Sequence, residues 1–261
     1  MKNLYHLFYK KYFDGIPFDY LLERNSVVPD NVKNTIKKRN YELLRAELFE
    51  IPRNELVNNW ISAKIAYPGL ITGIGINHEV GIEGEFKLGM HFDFTYGMPV
   101  IYGSSIKGIL RSAFPDEKDC QRTYISKEKQ IREYLGTGFE EIDVARFRDV
   151  LFEGKAEDLI PVYSRDIFFD AVIITDVNSR ILASDSITPH GNNPLKNPIP
   201  ITFLKIASGA TMEFRFRLIN SEINEIIVTD KIKRELFRKI LEDFGVGAKT
   251  NVGYGQFSEV K

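Results

Sequence analysis

Between Thr211 and Phe257 the hydrophobic period of the chain changes twice, and that change limits the folds open to it. Met212, Phe214, Phe216 and Leu218 alternate with Thr211, Glu213, Arg215 and Arg217, the pattern of a strand with one buried face. From about Asp230 to Phe244 the period becomes helical: Ile232, Leu236, Phe237, Ile240, Leu241 and Phe244 form one stripe. Gly245 is a natural stop for that helix. Four glycines (Gly245, Gly247, Gly253 and Gly255) then surround Lys249, Thr250 and Asn251, and a short strand pattern follows.

Glycine admits positive φ and lets another molecule come close. Bare backbone N–H groups beside Lys249 suit a phosphate. The segment lacks the Walker order, because Lys249-Thr250 is preceded by Gly-Val-Gly-Ala. It also lacks a Gly-x-Gly-x-x-Gly between a strand and a helix. Nucleotide hydrolysis and dinucleotide binding are therefore poor readings, and a loop that holds a polynucleotide backbone is a better one. Tyr254 offers a ring for stacking on a base or for packing in the terminal strand.

A second glycine-bearing motif lies upstream. Tyr96-Gly-Met-Pro99 breaks an alternating run, Gly84 to Phe94, in which Phe86, Leu88, Met90, Phe92 and Phe94 share one face. That run predicts a half-buried strand, with Glu85, Lys87, His91 and Asp93 facing solvent. Gly103-Ser104-Ser105 then opens a helix whose stripe is Ile106, Ile109, Leu110, Ala113 and Phe114, closed by Pro115. Ser104 or Ser105 is the expected N-cap. Lys107 and Arg111, four apart, share the polar face. Free N–H groups at the helix start and these two cations suit an anion or a phosphate backbone.

Residues 17 to about 60 read as helical, with Leu43, Leu44, Leu48 and Ile51 near helical spacing, and 65 to 76 as extended chain. Residues 116 to about 160 read as a charged insertion, and Phe168 to Asp176 as a buried strand. Ser208-Gly209 suggests a tight hairpin joining Ile201–Ile206 to the strand at Met212. The order fits an α+β, ferredoxin-like (RRM-like) split βαβ fold. A single domain of 261 residues is expected, with an N-terminal helical elaboration (1–60) and an inserted segment (116–160).

Composition removes several classes. One cysteine, Cys120, excludes a disulfide framework and a cysteine-rich zinc site. The four histidines show no paired ligand spacing, so no metal or cofactor is expected. The sequence predicts no membrane span and no signal peptide, with a reducing cytoplasm as the default compartment. The net charge of −1 is a mild argument against nucleic-acid binding, but the charge is uneven. Lys33 to Arg39 carries four cations and no acid, and Lys231 to Lys239 carries five against Glu235.

Three segments together resemble the RAMP superfamily of CRISPR-associated proteins. Pro99, Gly103, Ser104, Ser105, Lys107, Gly108 and Arg111 match its Pro-x-x-x-Gly-Ser-Ser-x-Lys-Gly-x-x-Arg signature. Gly245 to Gly255 is similar to its glycine-rich loop. Ser184-Asp-Ser-Ile-Thr-Pro-His190, followed by Asn197 to Phe203, is similar to the sixth-subunit branch of the Cmr (type III-B) effector complexes. The resemblance implies a non-catalytic subunit that holds guide RNA, and possible target RNA, beside Cmr backbone and small helical subunits. It raises Lys107, Arg111, Lys249 and Thr250 as RNA contacts and adds His190 in its Asn- and Pro-rich loop.

Two rival readings stay open. A metal-independent endoribonuclease needs a general base and acid, for which His78, His91 and His190 are available. A metal-dependent cleavage would need a loop aspartate, Asp93 or Asp185; Asp176 is a further loop acid. A protein-interaction module without RNA is the third reading.

Overall fold

The computed structural model describes residues 3–22, 28–47, 49–156, 158–174, 180–188 and 200–261. Leu4, Leu7 and Phe8 bury one side of α1 (Leu4–Tyr9), whose start is capped by the Asn3 side chain accepting from the His6 amide at 2.9 Å. Helices α2 (Phe18–Leu22) and α3 (Asp30–Leu44) follow, and α1 packs on α3. Helix does not continue to residue 60. Residues 49–58 are non-helical, and β1 (Asn59–Ile65) buries Ile61, Ala63 and Ile65 on alternate positions. The seven-residue alternation is easily lost between polar Asn58-Asn59 and the exposed Lys64. Leu48 lies outside the described residues.

The run from Gly84 to Phe94 forms no regular strand; isolated bridges hold it at Ile76–Leu88, Leu88–Phe203 and Phe92–Pro99. Its alternation still sorts most of the side chains. Phe86, Met90 and Phe92 are buried, but Phe94 is 76% exposed and Glu85 is buried. The reason is the N-terminal helices, which cover this segment with an aromatic cluster of Phe8, Tyr9 and Tyr12 around His78 and Phe92. Glu85 accepts from the Gly81 amide and lies near Lys87, but burial outweighs both and raises its pKa.

Next come β2 (Val100–Ile101), α4 (Gly103–Ser112), α5 (Gln121–Leu135) and α6 (Val144–Arg148), the last running into a π-helical turn, Asp149–Glu153. Residues 116–160 contribute to the core. Ile131, Ile142, Val144, Phe147, Leu151 and Phe152 are all buried, and α5 packs on α7. The predicted strand at 168–176 is two short pieces, β3 (Ile167–Phe168) and β4 (Ala171–Ile173), separated at Phe169-Asp170. The remaining elements are β5 (Leu182–Ile187), β6 (Ile201–Ile206), β7 (Thr211–Arg217), β8 (Ser221–Ile223), β9 (Ile226–Val228), α7 (Asp230–Phe244) and β10 (Phe257–Val260). Helix α7 has the expected bounds, with Thr229 as its N-cap.

The main sheet runs β10-β1-β7-β4-β2, with β3 on the far end of β7, and every pair is antiparallel. Met212, Phe214 and Phe216 of β7 point to one side, where α7 lies on β1 and β10 and beside α4. Phe216 and Phe237 meet there with centroids 5.3 Å apart. Burying each such side chain stabilises the fold by about 1.5–3 kcal/mol. The other face is covered at β7 as well. Glu213 and Arg215 are buried, and Arg215 donates to the carbonyls of Ile51 and Pro52 at 2.7 and 2.8 Å.

The expected hairpin between residues 201–206 and 212 does not form. β6 pairs with β5 in a second antiparallel sheet, and the Ala207–Ala210 turn carries the chain from one sheet to the other. The Gly209 amide donates to Ile65 of β1 at 2.8 Å, so the turn is fixed to the main sheet rather than to its own strand. Two strands close in sequence need not pair when each has a longer partner elsewhere.

Candidate nucleic-acid interface

Helix α4 starts two or three residues earlier than a Ser104 or Ser105 cap would give. Gly103 is the first helical residue, Tyr102 is the N-cap, and neither Ser104 nor Ser105 caps the helix. The cap comes from across the sheet: the Gly103 amide donates to Asp170 Oδ1 at 2.7 Å. A carboxylate there also favours the positive end of the helix dipole. Gly103 is fixed by space, since a Cβ would lie 2.1 Å from the Phe168 carbonyl oxygen. Its amide is thus committed inside the protein. Ser104 and Gly108 are exposed, and Ser105 and Lys107 are partly exposed. Arg111, at the other end, pairs with Glu153 at 2.7 Å.

The C-terminal loop is built on close backbone contact. A Cβ on Gly255 would sit 1.7 Å from the Val246 oxygen, and one on Gly247 would sit 2.2 Å from the Ile71 oxygen. A Cβ on Gly245 would meet the Gly255 oxygen at 2.6 Å. All three glycines have positive φ, as do Gly253 and the non-glycine Lys249. The amides of Val246, Ala248 and Gly255 donate to Gly255, Ile71 and Gly69. What the loop presents outward is Lys249, exposed at the tip, with Thr250 and Gly253 partly exposed beside it. Tyr254 faces inward. It is 8% exposed, packs on Phe203, and donates its hydroxyl to Asp185 Oδ2 at 2.8 Å.

The two motifs, far apart in sequence, meet through the segment at 65–76 that the sequence reads only as extended chain. Residues 68–73 receive the glycine loop: Ala248 donates to Ile71 at 2.8 Å, and Gly73 lies against the Ala248 side chain. The next residue, Thr72, accepts the His91 amide on Oγ1 at 3.1 Å. His91 stacks on Tyr102, with centroids 4.3 Å apart and planes 28° from parallel. Tyr102 leads into Gly103. One chain of contacts therefore runs from Lys249 through Ile71, Thr72, His91 and Tyr102 to Ser104. The glycines at 69, 73 and 75, all with positive φ, were the available sign of it.

Other candidates are placed differently. His190 and Asp176 lie outside the described residues. Asp185 accepts from Lys205, Tyr254 and the Ser186 amide. Burial alone raises its carboxyl, but those hydrogen bonds outweigh it and hold it below the usual range. Asp93 accepts the Tyr96 amide at 2.6 Å and shapes the turn before Pro99. His78 is sealed between Phe8 and Tyr12, and burial lowers its basicity. His91 is half-buried rather than exposed, burial lowers its pKa while Asp170 opposes, and its Nδ1 has no partner among the described residues. Of the five cations of α7, Lys231 and Arg234 are exposed and the other three are engaged by the protein. Lys233 is wholly buried against Asp166 and Ser221, Arg238 pairs with Glu235 and Glu242, and Lys239 donates to the Tyr134 carbonyl.

Among the described residues, no group of three His, Cys, Asp or Glu side chains could hold a metal ion, and no helix is long and apolar enough to cross a membrane. Around the contact chain lie the exposed Lys249, the partly exposed Lys107, hydroxyls and backbone, a composition that suits phosphate.

Three solved structures are similar to this chain. A type III-B Cmr-beta complex bound to cognate target RNA contains a chain 19% identical, at TM-score 0.47, covering 100% of this chain and 89% of that one. Cmr6 from Pyrococcus furiosus is 20% identical, at TM-score 0.41, covering 77% of this chain and 98% of its own. A chain of a type IV-B CRISPR complex is 13% identical, at TM-score 0.40, covering 77% and 90%. No curated protein matches the chain. The model of the RAMP superfamily matches residues 63–258, about three quarters of the sequence. The match takes in both glycine motifs and the segment that joins them, and the chain belongs to the RAMP superfamily.

Proposed function

We propose that this protein is a non-catalytic, RNA-binding structural subunit of a type III-B CRISPR (Cmr) interference complex. It holds guide RNA by its phosphates and caps the backbone filament, beside Cmr backbone and small helical subunits. The observation that carries this reading is the contact chain from Lys249 to Ser104, which links the two glycine motifs of one family through packed neighbours. Lys107 and Lys249 supply charge at its two ends, with Arg111 one helical turn further on.

The strand order β10-β1-β7-β4, with α4 and α7 on one side, supports a ferredoxin-like core. Base readout on the other side of the sheet is disfavoured, because residues 51–53 cover β7 there. The non-catalytic reading is supported by Asp185 and Asp93, which are engaged in structural hydrogen bonds, and by His78, which is sealed from solvent.

The test is guide retention in the assembled complex across a salt series, with and without divalent metal. Binding to phosphates weakens steeply as salt rises. Lys249→Ala and Lys107→Ala are expected to reduce guide occupancy without any cleavage appearing in the wild type. Full occupancy in both variants, or cleavage at a fixed position by the purified chain, would overturn the assignment.

A further inference from the structure

We infer that the groove between α1, α3 and Phe94 is a second binding site for single-stranded RNA, extending the path held by the glycine motifs. The inference rests on reading the chain as an RNA-binding subunit. The groove itself is separate from the glycine motifs, and all its lining except Phe94 lies before the residues that the family model matches.

The groove has a cavity of 630 Å³ lined by Tyr5, His6, Lys10, Lys11, Arg39 and Phe94, with Glu42 as its only acid among the described residues. That volume falls within the range of about 300–1,000 Å³ typical of ligand clefts. Lys10 and Lys11 are exposed and have no carboxylate partner among the described residues. Arg39 reaches Glu42 at 3.6 Å through one nitrogen, while its Nε is shut off from solvent without a partner. The basic run from Lys33 to Arg39 therefore divides. Lys33 is spent on Glu83 at 3.2 Å, and Arg39 turns into the groove.

Aromatic surface supplies the other half of the chemistry. Phe94 is 76% exposed, although it belongs to a run whose other large residues are buried. Its ring meets Tyr5 edge-on, with centroids 5.2 Å apart, and Asn3 bonds the Phe94 carbonyl, so the exposed ring is held in place. Fixed aromatic rings beside unpaired cations are the combination that single strands use, bases on rings and phosphates on charges. A duplex hides its base faces and could not use Phe94.

The groove also joins the first site. Tyr5 packs on Tyr9 at 5.2 Å, and the Tyr9 hydroxyl bonds both the amide and the carbonyl of Met90. Met90 precedes His91, which stacks on Tyr102 at the start of α4. Tyr102, itself 39% exposed, stands at the α4 end of this run of contacts, and Tyr5, against which Phe94 packs, stands at the other.

The experiment is fluorescence anisotropy of the full chain with a fluorescein-labelled single-stranded oligouridylate across a salt series. Phe94→Ala is expected to weaken binding about tenfold, from the loss of one stacked base. Phe94→Trp is expected to restore it. The double variant Lys10→Glu, Lys11→Glu is expected to lower the salt slope by about 1.4, two single-strand contacts at about 0.7 each. All these positions are exposed or carry surface charge, and thermal melts check that each variant folds. If the groove variants bind like wild type while Lys249→Ala is weakened, the groove is not an RNA site and the proposed function stands. If the groove variants weaken binding while Lys249→Ala and Lys107→Ala do not, the glycine-motif reading fails and the groove stands. Failure of the wild type to bind, or protection of the groove from hydrogen exchange by neighbouring subunits without RNA, would overturn this inference.

Discussion

Gly255 and Val246 are packed backbone to backbone: the Val246 amide donates to the Gly255 carbonyl at 2.9 Å, and a Cβ on Gly255 would lie 1.7 Å from the Val246 oxygen. No rotation of a side chain relieves that overlap. Gly255→Ala and Gly247→Ala are therefore expected to destabilise the fold, by about 2 kcal/mol or more when left-handed φ and backbone overlap combine. Gly108 is the control. It lies inside α4 with open space around its Cβ position, so Gly108→Ala is expected to stabilise by about 0.5–1 kcal/mol. Urea melts of the three variants check this; equal losses in all three would refute it.

The buried carboxylate of Glu213 sets an acid limit on stability. Burial alone raises its pKa, but hydrogen bonds from Arg53 and Arg215 outweigh burial and hold it below the usual glutamate range. A lowered folded-state pKa gives stability that is full above the unfolded value and is lost as pH falls through the folded value. Glu213→Gln is expected to cost about 3 kcal/mol at neutral pH, because Arg215 is left buried without its partner. It should also flatten the acid limb of stability against pH. An unchanged acid limb in the variant would assign that limb to other groups.

Lys233 and Asp166 form an ion pair with side-chain exposures of 0% and 2%. Removing one member leaves an uncompensated buried charge, and Lys233→Ala is expected to cost about 3–5 kcal/mol. The paired replacement Lys233→Met with Asp166→Asn should recover much of that loss. A double-mutant cycle in chemical denaturation measures the coupling, and additive losses would show that the two groups act separately.

Asp185 ties β5 to the glycine loop through Tyr254 and to β6 through Lys205. Tyr254→Phe removes one hydrogen bond and is expected to cost about 1 kcal/mol. Asp185→Ala also strands the buried Lys205 ammonium and should cost clearly more. Thermal melts rank the two variants, and an equal loss would mean that Lys205 finds another partner.

The readable parts of this chain were those in which a long segment carries its own period. α7 was legible because six apolar positions from Ile232 to Phe244, four of them buried, repeat at helical spacing and Gly245 marks its end. β7 was legible because its alternation runs uninterrupted. β1 was missed, although it lies inside the main sheet between β10 and β7, because its alternation is short and it begins at polar Asn58-Asn59. The run at Gly84–Phe94 alternates as well as any strand, yet its partners are helices and isolated bridges. Alternation reports which side chains are covered, not what covers them.

The candidate interface divides in the same way. The sequence by itself determined the local pieces: a helix near Gly103 to Phe114, the helix ending at Gly245, and glycines wherever backbone must bend or touch backbone. Those depend on φ, on side-chain spacing and on the absence of a Cβ, which each residue carries with it. Only the tertiary structure decided that Asp170 caps α4, that Tyr254 turns inward to Asp185, and that Ile71, Thr72 and His91 join the two motifs. Those contacts join residues from about 20 to nearly 180 positions apart, and no local period encodes a partner at that distance; the packing of the core brings them together.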